Sequence, residues 1–384
     1  MTNSTSESRL WPILVCYGSM TCLAIGVNLV PVYLTTFSEA FGGSAGLTEE
    51  QLGRISAVIF AAVVGGILVT GPMADRWGGK LFAIIGLVFT CLGQFMLVGA
   101  LNYTMLLVAG AVMGLGGGIL DMVLSPIVCS LQPHHKTKAL NWLHAFYCIG
   151  ALGTVLISSA AIRIGIHWRI AVLVINVVPL AMLAAFIPLR IPPLVHEDAQ
   201  RTPVPTLLRR PFFLATLIAI ILCGATEQGM SQWLPAYAER ALGYSKSVGA
   251  LSLAGFSIGM IVGRVIAGAA AHRLPPYPIM LVGCAGCILA FTAGCFLPQP
   301  PIALAACVLT GLTVSCLWPT ALSIAADRFP HGGASMFSLL AAAGNAGCFA
   351  MPWIIGVVGQ YTNLRIGLAT AALCPTLLAV IVTG

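Results

Sequence analysis

The chain has 384 residues, of which 59% are hydrophobic and 8% charged, and its formal net charge is +7. A soluble domain carries about 25% charged residues, and no soluble fold of this length buries so much apolar surface, so the solvent is lipid. Nucleic-acid binding is excluded, because the positive charges are scattered over short connections between apolar runs.

At about 20 residues per crossing, the hydropathy pattern predicts twelve helices, over 11–37, 52–74, 81–100, 104–130, 138–163, 168–189, 211–237, 247–271, 277–297, 301–327, 333–360 and 363–384. The first ten residues are polar and the run that follows is too long for a signal-peptide core, so it reads as a retained first span. Asn102 begins a glycosylation sequon in a loop too close to the membrane for use. The stretch 191–210, rich in Pro and charge, reads as a cytoplasmic linker between a six-helix bundle at 1–190 and another at 211–384. The fold class is therefore an all-α membrane protein with two six-helix bundles related by a pseudo-two-fold axis. Cys284 and Cys287 sit mid-helix with no His nearby, and no metal site is expected.

An even number of spans puts both termini on one side. That face holds Arg9, Arg76, Lys80, Lys136, Lys138, Arg190, Arg201, Arg209, Arg210, Arg273 and Arg328, eleven in all, against six on the other: Arg54, Arg163, Arg169, Arg240, Lys246 and Arg365. The excess makes both termini cytoplasmic.

The two halves match in order. Gly71 and Arg76 match Gly268 and Arg273 at an offset of 197, Gly114-Leu115 matches Gly311-Leu312, and Leu143 and Gly150 match Leu340 and Gly347. LGRIS at 52–56 matches VGALS at 248–252, and VPVY ending span 1 matches LPAY ending span 7. Parallel repeats of this kind place a substrate site near the midplane between two bundles.

Asp121 in span 4 and Glu227 in span 7 are the two acids deep inside apolar segments; the other nine carboxylates lie in loops or at span ends. A charge at the bilayer centre costs roughly 2.5–3.5 kcal/mol on insertion scales, so such groups are buried, paired or able to carry a proton. Their repeat counterparts are Trp318 and Leu23, so each half carries its acid on a different helix. Asp121, Asn141 and His144 fall at similar depth and could form a polar cluster in which Asp121 titrates and His144 tunes it. Glu227, Gln228, Ser231, Gln232 and Trp233 make a polar stripe ending in an indole, suited to sugar hydroxyls and to a ring's apolar face. Further substrate-site candidates are Asn28, Gln94, Trp142, Tyr147, Trp318 and Asn345; Asn28 aligns with Gln232. Arg264 reads as a structural cation near a span end, grouped with the latch below. The glycine run GLGGG at 114–118 permits close helix approach.

GPMADRWGGK, from Gly71 to Lys80, resembles the signature loop of the major facilitator superfamily, departing from it at Gly79. The resemblance implies twelve helices, alternating access, a monomer, and a conformational latch of Gly71, Asp75, Arg76, Lys80 and Arg264. GLGGGILDMVLSP in span 4, ALNWLHAFYCIGALG in span 5, GATEQGMSQWLPAY in span 7 and GRVIAG in span 8 are similar to the fucose–galactose–glucose permease family of sugar–proton symporters. Span 1 lacks that family's acid, and Ser125 stands where relatives carry Asn. The implied function is uptake of a small polar solute, a sugar foremost, with protons as the coupling ion, no other cofactor, and a bacterial inner membrane as its place. Proton-coupled efflux of amphipathic compounds, sodium coupling and uncoupled transport remain open alternatives. An intramembrane enzyme is not expected, since neither acid has a nucleophile or second base beside it.

Overall fold

The computed structural model describes residues 4–133, 136–191, 204–270, 273–329, 331 and 333–383. These residues form helices and connections with no strand among them. Helix α1 (Ser4–Phe41) leads through a 3-10 turn (Gly43–Ala45) into α2 (Glu49–Trp77). Then come α3 (Gly79–Val98), α4 (Tyr103–Leu131), α5 (Lys136–Arg163) and α6 (Trp168–Phe186). Of the predicted linker, 192–203 lies outside the described residues, as do the side chains of Arg9, Lys136 and Lys138. A short α7 (Val204–Leu208) precedes α8 (Pro211–Arg240), α9 (Lys246–Ala270), α10 (Pro276–Phe296), α11 (Pro300–Val314), α12 (Leu317–Arg328) and α13 (Gly333–Tyr361). Finally α14 (Leu364–Ala369), a 3-10 turn (Thr370–Ala372) and α15 (Leu373–Thr383) complete the chain.

Twelve stretches are long and apolar enough to cross a membrane, as the hydropathy pattern predicts. Large apolar side chains that face away from the packed helices, such as Val265, Val282 and Leu289, are 68%, 73% and 71% exposed. In lipid such exposure costs nothing, and it marks the outer surface of a membrane protein.

Two predicted single helices are interrupted. The tenth span breaks at Ser315–Cys316, and the twelfth at its 3-10 turn. Each break lies one turn before a proline, Pro319 and Pro375. A proline has no N–H for the carbonyl four residues back and clashes with it, so the preceding turn rearranges. At the tenth span, the Ser315 hydroxyl folds back to the Leu312 carbonyl at 2.7 Å.

Local signals set several ends. Thr48 and Gln51 form a reciprocal capping box at the start of α2, Thr48 N to Gln51 Oε1 at 3.0 Å and Gln51 N to Thr48 Oγ1 at 3.2 Å. Asn102 and Asn363 cap α4 and α14 by accepting from Met105 N and Ile366 N. Helix α2 ends at Gly78, whose φ of +87° favours glycine. Among the described residues all cysteines are free, and all but Cys129 and Cys148 are buried.

The chain forms two compact units, one of Met1–Leu29 with Ala61–Asp198, the other of Val30–Phe60 with Ala199–Gly384. Helices α1 and α2 therefore each contribute to both. Inside each unit the same contacts recur. A Cβ on Gly66 of α2 would meet the Leu115 carbonyl of α4 at 2.8 Å, and Gly263 of α9 presses in the same way on the Leu312 carbonyl of α11. A Cβ on Gly150 would meet Thr21 Cα at 2.8 Å, and one on Gly347 would meet Ala225 N at 2.9 Å. These pairs follow the alignment of the halves. The glycine run of span 4 does bring helices together: a Cβ on Gly116 would sit 2.6 Å from Thr90 N of α3.

A further pair of contacts follows the repeat. Arg169, at the start of α6, donates to the carbonyls of Val98 and Ala100 at 2.8 and 2.7 Å. Arg365, at the start of α14, donates to Cys295 and Ala241 at 3.4 and 3.2 Å. Each guanidinium satisfies carbonyls that a helix C-terminus leaves unpaired, beside the negative end of the dipole. Replacing Arg365 by Leu strands two acceptors and is expected to cost about 1.5–3 kcal/mol. Arg365→Lys, lacking the fork, recovers only part. Thermal unfolding in detergent checks the order wild type above Lys above Leu.

Candidate functional site

Helix α4 carries Asp121 half-buried in the first unit. Next to it, Met122 packs on Gly71 of α2, with 3.5 Å between its Cε and the position of a glycine Cβ. Helix α5 packs on α4 and carries Trp142, 51% exposed, His144, exposed, and Tyr147, half-buried. The side chains of Asn141 and Asp75 lie outside the described residues. In the signature loop, Arg76 is exposed and Lys80 half-exposed in the first turn of α3. Asn28 is buried and turned to its own helix, donating to the Ala24 carbonyl at 2.9 Å. Gln94 is wholly enclosed on α3, and its amide has no hydrogen-bond partner among the described residues.

In the second unit α8 carries the other acid within a continuous hydrogen-bonded chain. Gln228 Nε2 donates to Glu227 Oε1 at 3.2 Å. Gln228 Oε1 accepts from Ser231 Oγ and from Gln232 Nε2, both at 3.0 Å. Gln232 Oε1 accepts from Ser56 Oγ of α2 at 2.9 Å. The i, i+3 and i+4 spacing of 228, 231 and 232 puts these groups on one face of α8. Every donor in the chain points towards Glu227, so the links polarise one another and end on a carboxylate. The Arg264 guanidinium, on α9, lies close enough to Glu227 to act on it electrostatically.

Trp233 is 1% exposed and donates from its indole to the Pro352 carbonyl at 2.9 Å. Its ring faces α13, so its observed contact is helix packing rather than stacking on a solute. Trp318, half-buried on α12, lies over Gly344 of α13, where any side chain would collide with the ring. Asn345, the next residue, donates back to the Ala341 carbonyl at 2.9 Å.

At the end of this unit where α1 passes into α2, charged groups meet in pairs. Glu39 bonds Lys246 at 2.6 Å, Glu49 bonds Arg240 at 2.8 Å, and Glu239 accepts from Thr35 at 2.7 Å. Glu50 accepts from the Trp353 indole at 2.6 Å and pairs with Arg54 at 2.5 Å. Sequence reasoning missed Ser56 and this cluster. The acids were visible as loop-flanking charges, but their partners lie far away in the chain. The capping box at Thr48 was the legible signal that Glu49 and Glu50 open a helix.

A model of the Major Facilitator Superfamily matches residues 16–352. The probable nitrate/nitrite transporter NarK2 of Mycobacterium tuberculosis is 25% identical over 375 residues, covering 91% of this chain and 90% of that protein. The quinolone resistance protein NorA of Staphylococcus aureus is 26% identical over 138 residues, 35% of this chain and 34% of its own length. Among solved structures, the Escherichia coli fucose:proton symporter FucP superposes with a TM-score of 0.68 at 18% identity, covering 98% of each chain. A D-xylose-proton symporter superposes with a TM-score of 0.78 at 14% identity, covering 97% of this chain and 96% of that one. Such distant likenesses speak for the fold alone. With twelve membrane-length helices, two units sharing the same internal contacts and a family model spanning most of its length, the chain belongs to the Major Facilitator Superfamily, and it is a multi-pass membrane transporter.

Proposed function

We propose that the protein carries a small polar solute, a sugar foremost, by alternating access with proton symport, in the manner of the fucose–galactose–glucose permeases. The observation that carries this reading is the polar chain on α8, in which a carboxylate, two amides and two hydroxyls are joined inside an apolar span. Carboxamide and carboxylate groups exchange hydrogen bonds readily with sugar hydroxyls. A buried acid in each unit gives the proton two places to bind, Asp121 and Glu227, with His144 beside the first in chain depth. Asn141, Trp142, Tyr147, Trp318 and Asn345 are the remaining substrate candidates, and the latch is Gly71, Asp75, Arg76 and Lys80. The proposed setting is a bacterial inner membrane, with the protein a monomer and both termini cytoplasmic. That orientation makes the α1–α2 end extracellular.

The first test is uptake of a labelled monosaccharide panel into proteoliposomes, with and without an inward proton gradient. The expected result is accumulation that requires the gradient and falls at least tenfold in Asp121→Asn or Glu227→Gln, about 1.4 kcal/mol at the rate-limiting step. Equilibration indifferent to the gradient would remove the symport claim.

A second reading has a specific observation behind it. Arg264 is a cation within reach of Glu227, and the relative matched over most of both chains is named for nitrate and nitrite. An arginine fork binds planar oxyanions well. On this reading nitrate uptake exceeds every sugar in the same assay, and Arg264→Gln abolishes it. On the sugar reading Arg264 only balances Glu227, and nitrate uptake stays at the level of empty liposomes.

The charged pairs at the α1–α2 end tie Glu39 and Glu49 to α9 and α8 within the second unit, and the proposed cycle works against them. An exposed pair contributes about 0.2–1 kcal/mol. Glu49→Gln alone is therefore expected to change the initial uptake rate less than about fivefold, whereas Glu39→Gln, Glu49→Gln and Glu50→Gln together exceed tenfold. Raising ionic strength should move the wild type in the same direction as the triple variant. Rates that ignore both salt and the triple substitution would show that the pairs play no part in the cycle.

A further inference from the structure

The first two turns of α2 belong to the second unit and pack one face against its other helices. A Cβ on Gly53 would meet the Pro352 carbonyl of α13 at 2.5 Å, so the two backbones are in contact. Glu49 and Glu50 bond Arg240 and Trp353 one turn earlier, and Ser56 bonds Gln232 one turn later. The spacing 49, 53, 56 is that of a single helical stripe. Of these contacts, that of Ser56 alone leads inward along a chain of polar groups, and it does so with little solvent: Ser56 and Gln232 are each 2% exposed and Gln228 is 7% exposed.

The connectivity is directional. A carboxylate only accepts, so Glu227 takes the Gln228 Nε2, which turns Gln228 Oε1 to the Gln232 Nε2. Ser231 fills the second lone pair of Gln228 Oε1. Gln232 Oε1 is thereby left to accept from the Ser56 hydroxyl of α2. A hydroxyl can donate or accept, so Ser56 ends the chain rather than choosing its direction, and its loss strands a buried amide oxygen. The glutamine orientations seen by α2 at one end are those set by Glu227 at the other.

We propose that Ser56 is a positioning residue of the transport site, and that the Ser56–Gln232–Gln228–Glu227 chain makes the seating of the first turns of α2 depend on the state of the α8 cluster. This rests on the reading of that cluster as the site of transport. A solute or proton that draws Gln228 or Glu227 into new hydrogen bonds takes a link out of the chain. Gln232 then turns, Ser56 loses its acceptor, and α2 is held at this level only by its glycine contact. Occupancy of the site is thereby felt two turns away, where the charged pairs lie.

Hydrogen–deuterium exchange on the full chain in nanodiscs tests the coupling without any transported solute. The readout is deuterium uptake by the peptide covering residues 49–60. Ser56→Ala is expected to speed uptake there about fivefold, and Ser56→Thr, which keeps the hydroxyl, to restore the wild-type rate. The decisive variant is Gln228→Ala, read alongside the milder Gln228→Asn. The side-chain hydrogen bonds of Gln228 all run to groups of α8, yet both variants should speed exchange at 49–60 while peptides of α3 and α10 stay at wild-type rates. Unchanged exchange at 49–60 in both Gln228 variants overturns the proposal and leaves Ser56 as a local tie between two helices. Failure of sugar uptake would strike the transport reading but not this result, and unchanged exchange would leave the transport reading standing.

Discussion

Hydrocarbon offers no hydrogen bonds, and that single absence shapes the whole molecule. Backbone groups must be satisfied within each span, so the chain is helical wherever it crosses. The groups that a helix cannot satisfy for itself are the ends, and two arginines at matching places, Arg169 and Arg365, donate into the loose carbonyls of neighbouring helices. Before Pro319 and Pro375 the helix yields into a break and a 3-10 turn, whereas Pro126, Pro179, Pro235 and Pro352 are carried inside continuous helices. Polar side chains obey the same rule. Many hydroxyls turn back to a carbonyl one turn earlier, others reach across to another helix as Thr21 and Tyr237 do, and Ser56 and Ser231 join the chain that ends on Glu227.

The two units show what repetition preserves and what it lets go. Close approach at Gly66 and Gly263, the seats of Gly150 and Gly347, and the arginine caps occur in both. The glycine seats are contacts of backbone with backbone, where a methyl group would force helices apart and the loss would spread over a whole interface. The chemistry is not repeated. Asp121 has Trp318 at the equivalent place, and Glu227 has Leu23. The glycine contacts and arginine caps repeat between the units while the positions of the two acids do not.

Much of this was legible in the sequence. Twelve apolar runs and the Gly71–Lys80 loop carry the architecture, because hydrophobic length and periodicity are local properties. The polar stripe on α8 was legible too, since 228, 231 and 232 are spaced by a helical turn. What escaped was long-range. Ser56 is separated from Gln232 by 176 positions, and Glu50 from Trp353 by 303. No local pattern links a serine in LGRIS to a glutamine in another unit of the repeat. For Trp233 the sequence shows an indole beside polar residues, and the partner of its N–H, the Pro352 carbonyl 119 positions on, is equally long-range.

The sharing of α1 and α2 between units has a consequence for biosynthesis. Residues 30–60 leave the ribosome early, but they belong to the unit completed last. Glu39 and Glu49 must enter the membrane surface with their partners still 207 and 191 residues from being made, and Glu50 waits for Trp353 near the end of translation. Glu50 has Arg54 beside it from the start, whereas Glu49 waits for α8 and Glu39 for α9. A nascent chain that stops short of α13 has its acids paired but lacks the Pro352 backbone on which Gly53 seats and the indole that donates to Glu50. The start of α2 is thus neutralised first and seated last, in the order in which α8, α9 and α13 are made.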